Sequence, residues 1–88
     1  MAEYLKVIFE EDLLEENIFE LKQRLRDALD TDRYLLVICD MRQVSYVDSS
    51  GLKLLAWVKQ RITDLGGKLI FKHVQSRVRA VLHRELRA

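Results

Sequence analysis

Two hydroxyl groups and a carboxylate stand side by side in the run Asp48-Ser49-Ser50-Gly51. A serine hydroxyl can accept a phosphoryl group or, when a base removes its proton, act as a nucleophile. The same residue types also begin helices, because Asp and Ser oxygens accept from unpaired backbone N–H groups and Gly lets neighbouring backbone approach. From these four residues alone, helix capping is the commoner explanation. One cap uses one oxygen, however, and this turn presents an acid and two hydroxyls.

The remaining sequence does not favour catalysis by the chain itself. The nucleophile-elbow pattern GxSxG is absent, and neither His73 nor His83 is placed by sequence to serve Ser49 as a base. The phosphate-binding loop GxxxxGK[ST] is absent as well, and neither histidine has an acid or cysteine at metal-ligand spacing. We therefore predict a protein that is not an enzyme, with no catalytic residue, cofactor or metal site. A nucleotide-binding domain is a weak alternative, because the loop has one glycine and no lysine.

Size and composition predict one domain over residues 1–88. The chain has 88 residues, of which 49% are hydrophobic and none is proline, enough for one core and too few for two. No apolar run reaches the roughly 20 residues of a membrane span, and the N-terminal segment alternates and carries charges unlike a signal peptide. We expect a cytoplasmic protein without membrane insertion. Cys39 lies within an apolar run and has no partner cysteine, so it is expected in the core.

The formal net charge of +1 hides a gradient from an acidic first third to a basic end. The basic residues near the end are Lys68, Lys72, Arg77, Arg79, Arg84 and Arg87. No aromatic residues alternate with the arginines to stack on bases, so a solvated helix face is the preferred interpretation and no direct nucleic-acid partner is expected.

Apolar spacing predicts three strands and three helices in alternation. The strands are predicted over 4–9, 34–39 and 68–73, and the helices from Asp12, over about 50–65 and from Ser76. Asp12 and Ser76 are the expected N-caps of the first and third helices, and the pair Gly66-Gly67 is expected to supply the left-handed residue that ends the second. Because 34–39 is continuously apolar, it is predicted to be a central strand covered on both faces. This order predicts a small α/β domain with a largely parallel three- to four-stranded sheet and three helices.

In such a sheet, functional groups gather where loops leave the carboxyl ends of strands. The loop from Asp40 to Asp48 lies at such a point, directly before the second helix. Val44, Tyr46 and Val47 are expected to turn back onto the core. The hydroxyl groups of the first helical turn would then stand at the functional edge of the sheet.

The segment 39–52, CDMRQVSYVDSSGL, resembles the STAS family, the anti-sigma-factor antagonists and their relatives. In that family an apolar strand ends in Asp, a short loop leads to Asp-Ser-Ser-Gly-Leu, and a Gly-Gly pair precedes the next strand. Here Gly66-Gly67-Lys68-Leu69-Ile70 follows the amphipathic second helix. The resemblance runs from the first helix to about Leu82.

The resemblance implies a phosphoswitch. Ser49 would be phosphorylated by a serine kinase that is also the anti-sigma factor, and phosphorylation would release that partner. Asp48 would present the Ser49 hydroxyl or contact the kinase, and Ser50 would have a secondary role. Gly51, which has no side chain, would keep the protein surface low enough for the kinase to approach. Two more candidate partner contacts, Lys53 and Trp57, lie on the polar side of the second helix. The Trp57 indole is expected to be exposed or to lie flat on a neighbouring loop.

Three departures from the family pattern leave an alternative open. The run after Phe9 lacks the family's glycine, Lys53 and Trp57 replace small residues, and closing elements of longer relatives are not seen after Leu86. A strand edge left open in this way leads us to expect a homodimer. The alternative function is a STAS subunit of an ABC-type lipid transporter that binds the ATPase without a phosphorylation cycle.

Overall fold

The computed structural model describes residues 4–31 and 34–87, in which strands and helices alternate. The strands are β1 (Leu5–Ile8), β2 (Leu36–Asp40) and β3 (Lys68–Lys72), and the helices are α1 (Glu15–Thr31), α2 (Ser49–Asp64) and α3 (Ser76–Leu86). The predicted α/β class and the three helices are confirmed, and the described sheet has three strands.

The sheet is parallel throughout and has the order β1-β2-β3, so β2 is central as predicted. Right-handed crossovers that step in one direction place their helices on the same face of a sheet. The contacts agree with this, because α1 packs against α2 and α2 packs against both β3 and α3. One layer of helices therefore lies on one layer of sheet.

The two faces of the sheet have different environments. Val37 and Cys39 of β2 are buried beneath the helices, and burial raises the pKa of the Cys39 thiol to about 12. The opposite side, here called the open face, lies outside the hydrophobic core. Its residues are Lys6, Ile8, Leu36, Ile38, Asp40, Lys68, Ile70 and Lys72. The prediction that β2 is covered on both faces is wrong, because the helices of residues 4–31 and 34–87 cover only one.

The helix ends confirm one capping prediction and correct another. Gly66 follows α2 with φ of 79°, the left-handed conformation predicted there, and its N–H donates to the Thr63 carbonyl oxygen at 2.9 Å. Ser76 is not the N-cap of α3. That position is held by Gln75, whose side chain makes no capping hydrogen bond, and Ser76 is the first helical residue.

Candidate functional site

The connection between β1 and α1 lies alongside the connection between β2 and α2. The Leu13 N–H donates to the Tyr46 carbonyl oxygen at 3.1 Å, and the Asp48 N–H donates to the Leu13 carbonyl oxygen at 3.1 Å. These bonds form an isolated parallel bridge between Leu13 and Val47. The two loops are therefore joined by their backbones directly before the helices begin.

Asp12 reaches from the first loop into the second. Its Oδ1 accepts the Ser45 N–H at 2.7 Å, the Ser45 hydroxyl at 2.9 Å and the Tyr46 N–H at 3.2 Å. The hydrogen bond from the Ser45 N–H is the main reason that the pKa of Asp12 is lowered. The prediction that Asp12 caps α1 is therefore wrong, because its carboxylate is committed to the other loop.

Asp48 makes the reciprocal connection and caps two helices. Its Oδ1 accepts the Gly51 N–H of α2 at 2.9 Å, and its Oδ2 accepts the N–H of Glu15, the first residue of α1, at 2.9 Å. These two donors, Gly51 before Glu15, lower the pKa of Asp48. A single carboxylate thus satisfies one orphan N–H group at the start of each helix.

Gly51 is buried where the two loops touch. A Cβ atom at this position would lie 2.4 Å from the Leu13 carbonyl oxygen and 2.8 Å from both Leu13 Cβ and Val47 Cγ1. Only glycine fits against this backbone. Gly51 was expected to keep the outer surface flat for an approaching kinase. Its burial gives a different reason for glycine, because a side chain here would clash with Leu13 and Val47 inside the protein.

Ser49 is the first residue of α2 and is exposed to solvent, whereas Ser50 is half-buried. Among the residues that the structure describes, the side-chain hydrogen bonds of this junction use Asp12, Ser45 and Asp48, and none uses the Ser49 hydroxyl. Capping therefore accounts for Asp48 and steric fit for Gly51. It does not account for Ser49.

The start of the β2–α2 loop is fixed by a third carboxylate. Asp40, only 8% exposed, accepts the Arg42 N–H on its Oδ1 at 3.0 Å. This hydrogen bond is the main cause of the lowered pKa of Asp40, and the nearby Arg42 guanidinium adds to it. Sequence reasoning assigned Asp40 only to the end of the strand.

The two candidates farther along α2 have different surroundings. Lys53 is exposed and lies one helical turn after Ser49. Trp57 is half-buried and packs against the core, with Lys22 Nζ 5.1 Å and Arg26 Cζ 5.9 Å from its ring centre. The indole therefore contacts α1, neither freely exposed nor lying on a loop as expected. Its partner contact stays a prediction.

Tyr46 is a candidate that sequence reasoning missed. Val44 and Val47 are buried as predicted, but the Tyr46 side chain is 53% exposed, so its predicted place on the core is wrong. Its N–H binds Asp12 and its carbonyl oxygen binds Leu13, so its backbone is held by the other loop. An aromatic ring two residues before Asp48 is thereby presented to solvent. No signal in the sequence distinguishes it from the neighbouring core residues.

The three-stranded parallel sheet with a single layer of helices is a fold that this chain shares with STAS domains. The chain belongs to the STAS domain family, whose model matches residues 4–85. Its fold is similar to that of the anti-sigma factor antagonist SpoIIAA in its unphosphorylated form, with a TM-score of 0.81 and 18% identity. That alignment covers 96% of this chain and 73% of SpoIIAA.

A second solved structure with this fold is a sulfate transporter family protein from Wolinella succinogenes, with a TM-score of 0.77 and 22% identity. That alignment covers 92% of this chain and 65% of the Wolinella protein. No curated protein sequence matches the chain as a relative. Among the helices of the described residues, none is long and apolar enough to cross a membrane.

Proposed function

We propose that this protein is a non-enzymatic phosphoswitch that acts by binding a protein partner in the cytoplasm. The unmodified form binds a serine kinase of the anti-sigma-factor type, and phosphorylation of Ser49 by that kinase releases it. The observation that carries the proposal is that Asp48 and Ser49, at the start of α2, have different roles. Asp48 supplies the cap, and Ser49 is exposed with a hydroxyl that makes no hydrogen bond to the residues that the structure describes.

The charge added by phosphorylation acts mainly at the interface. A phosphate adds about −1.5 to −2 charges, and a helix N-terminus favours an anion by roughly 0.3 to 2 kcal/mol. Asp48 and the exposed Glu15 are close negative charges, while exposed Lys53 offers a positive one on the same side of α2. These effects partly cancel in the folded protein. Against an acidic group of a docked partner, the same charge costs enough to change affinity by orders of magnitude.

The surface around Ser49 offers contacts suited to a partner. Exposed Tyr46 precedes the first turn, exposed Lys53 follows it, and half-buried Ser50 lies beside Ser49. Tyrosine is among the residues enriched at interface hot spots. Asp48 acts on this surface by fixing the start of α2, so it is a positioning residue in the proposed mechanism.

The alternative function is that of a transporter subunit, and the fold shared with the Wolinella protein indicates only that this fold also occurs in a sulfate transporter family. In this alternative the same surface binds the ATPase of an ABC-type lipid transporter, and Ser49 is a contact residue without a phosphorylation cycle. Neighbouring genes distinguish the two functions. A serine kinase and sigma factor favour the phosphoswitch, and a permease with an ATPase favours the transporter.

The decisive experiment incubates the protein with the neighbouring serine kinase, ATP and Mg²⁺, and locates phosphate by mass spectrometry. We expect one phosphate on Ser49, none in Ser49→Ala, and unchanged labelling in the matched variant Ser76→Ala, which removes an exposed serine hydroxyl at the first position of α3. Calorimetry should then show that the kinase binds the unmodified protein and not the phosphorylated one. Phosphate on another residue, or equal binding of both forms, contradicts the proposal.

A further inference from the structure

The outer edge of β1 has backbone groups that point away from the sheet. The Phe9 N–H donates to the Asp40 carbonyl oxygen of β2 at 3.2 Å. Because alternate residues of a strand face the same neighbour, the N–H and C=O groups of Lys6 and Ile8 point away from β2. No strand among residues 4–31 and 34–87 pairs with this side of β1.

The surroundings of this edge leave room for another strand. A groove of about 500 Å³ runs between β1 and α1, and Leu5, Val7 and Phe9 contribute to its lining. At the same edge, the Ile8 side chain is 52% exposed. Exposed apolar edge strands are prone to pair with another chain unless charges or other devices prevent it.

The opposite edge of the sheet, strand β3, has charged residues that can prevent such pairing. Strand β3 begins with Lys68 and ends with Lys72, both exposed. If two β3 strands paired antiparallel about their centres, Lys68 of one copy would stand beside Lys72 of the other. Like charges directly opposite each other are destabilising, so β3 disfavours self-pairing in this register.

Strand β1 has the opposite property, because Lys6 within the strand and Glu10, two residues after its end, carry opposite charges. In an antiparallel pair of β1 strands, outward-facing residues must pair with outward-facing residues, which limits the register to steps of two. The register that places Ile8 opposite Ile8 also places Lys6 opposite Glu10, twice by symmetry. Lys6 and Glu10 are both exposed. The neighbouring register, with Lys6 opposite Ile8, forms no such pair.

We propose that two copies of this chain associate through their β1 edges in this register. The two three-stranded sheets would join into one of six strands across a two-fold axis beside Ile8. The contact is isologous and closed, so it gives a dimer and not a fibre. It uses none of the residues of the proposed phosphoswitch, and neither proposal depends on the other.

A charge exchange tests the register. By sedimentation equilibrium, Lys6→Glu and Glu10→Lys should each raise the dimer dissociation constant about tenfold or more, because like charges then face each other. The double variant Lys6→Glu, Glu10→Lys should recover the wild-type value. Lys68→Glu is the matched control on the other edge and should leave dimerisation unchanged, with circular dichroism confirming that each variant is folded.

A cross-link provides a second readout. Residues in a hydrogen-bonded antiparallel pair have Cα atoms about 5.5 Å apart, within the range that a disulfide spans. Ile8→Cys should therefore oxidise to a covalent dimer, whereas Lys6→Cys, opposite Glu10, should not. A wild-type protein that stays monomeric at all concentrations, or single charge variants that dimerise as well as wild type, would overturn the proposal.

Discussion

The carboxylate of Asp48 accepts the backbone N–H of Glu15, which lies 33 positions earlier in the chain. The same side chain caps its own helix through the Gly51 N–H. The starts of α1 and α2 are thus fixed to each other by one residue, and the exposed Ser49 hydroxyl stands at a rigid junction.

Removing the Asp48 carboxylate should destabilise both helix starts. Asp48→Ala should lower the melting temperature by several degrees, and Asp48→Asn should lower it less, because an amide keeps one acceptor oxygen of two. Thermal denaturation followed by circular dichroism measures this. Ser49→Ala is the matched control and should melt close to the wild type, since its hydroxyl makes no bond in the described fold. Equal melting of Asp48→Ala and wild type would contradict the double cap.

The junction should also make stability depend on acid pH. The lowered pKa values of Asp12 and Asp48 mean that their contribution is complete above the ordinary Asp pKa of about 3.9 and is lost as pH falls through the lower folded values. Asp12→Asn should therefore be less stable than wild type at pH 7, and the difference should shrink below about pH 4. Urea denaturation at several pH values tests the sign. A difference that grows on acidification would show that these carboxylates are not preferentially ionised in the folded state.

Adding one methyl group at Gly51 should be costly. The new Cβ would overlap the Leu13 carbonyl oxygen, a backbone atom that cannot rotate away, so Gly51→Ala should lower the free energy of unfolding by about 3 kcal/mol. Urea denaturation measures the change, and the adjacent Ser50→Ala is the control without added bulk. A stability near wild type would mean that the loops separate easily.

The side chain of Trp57, the only tryptophan, should report on the contact between α1 and α2. Lys22→Ala should shift its fluorescence, because the Lys22 ammonium lies 5.1 Å from the ring centre. Lys72→Ala, an exposed lysine on β3, serves as the control. For partner binding, Trp57→Phe is preferable to alanine because it retains an aromatic ring against α1. Unchanged affinity in that variant would remove the indole from the interface.

Tyr46 should contribute to partner binding without contributing much to stability. Tyr46→Ala should weaken binding of the kinase by about 1 kcal/mol or more, as expected for an exposed aromatic in an interface. Phe19→Ala is a matched control, because Phe19 is an aromatic residue on α1 with 75% exposure. Calorimetry with both variants distinguishes a local contact from a general loss of apolar surface. Equal loss in both would argue against a site centred on Ser49.

Local patterns in the sequence predicted the order of elements and several of their ends. The second helix was predicted to be amphipathic, and it has one buried side, formed by Leu54, Leu55, Val58 and Ile62. Gly66 ends that helix in the predicted conformation because only the local backbone decides it. The exposed position of Ser49, the first residue of α2, also follows from where this helix begins.

The relations that the sequence did not reveal join distant segments. Asp12 has the type and spacing of an N-cap, yet it binds Ser45, 33 positions later, because the two loops lie side by side. Tyr46 is apolar enough for the core, but its backbone bonds turn it outward. The apolar run of β2 indicated two covered faces, whereas the direction of both crossovers left one uncovered. Each outcome depends on which segments are neighbours in space.

The rate at which the buried thiol of Cys39 is alkylated measures how often the fold opens. With its pKa raised to about 12, this cysteine holds almost no thiolate at neutral pH and lies beneath the helical layer. Alkylation by iodoacetamide must therefore wait until the helices leave the sheet. Labelling rates with and without a bound kinase would then measure how far docking at the start of α2 holds the whole layer closed.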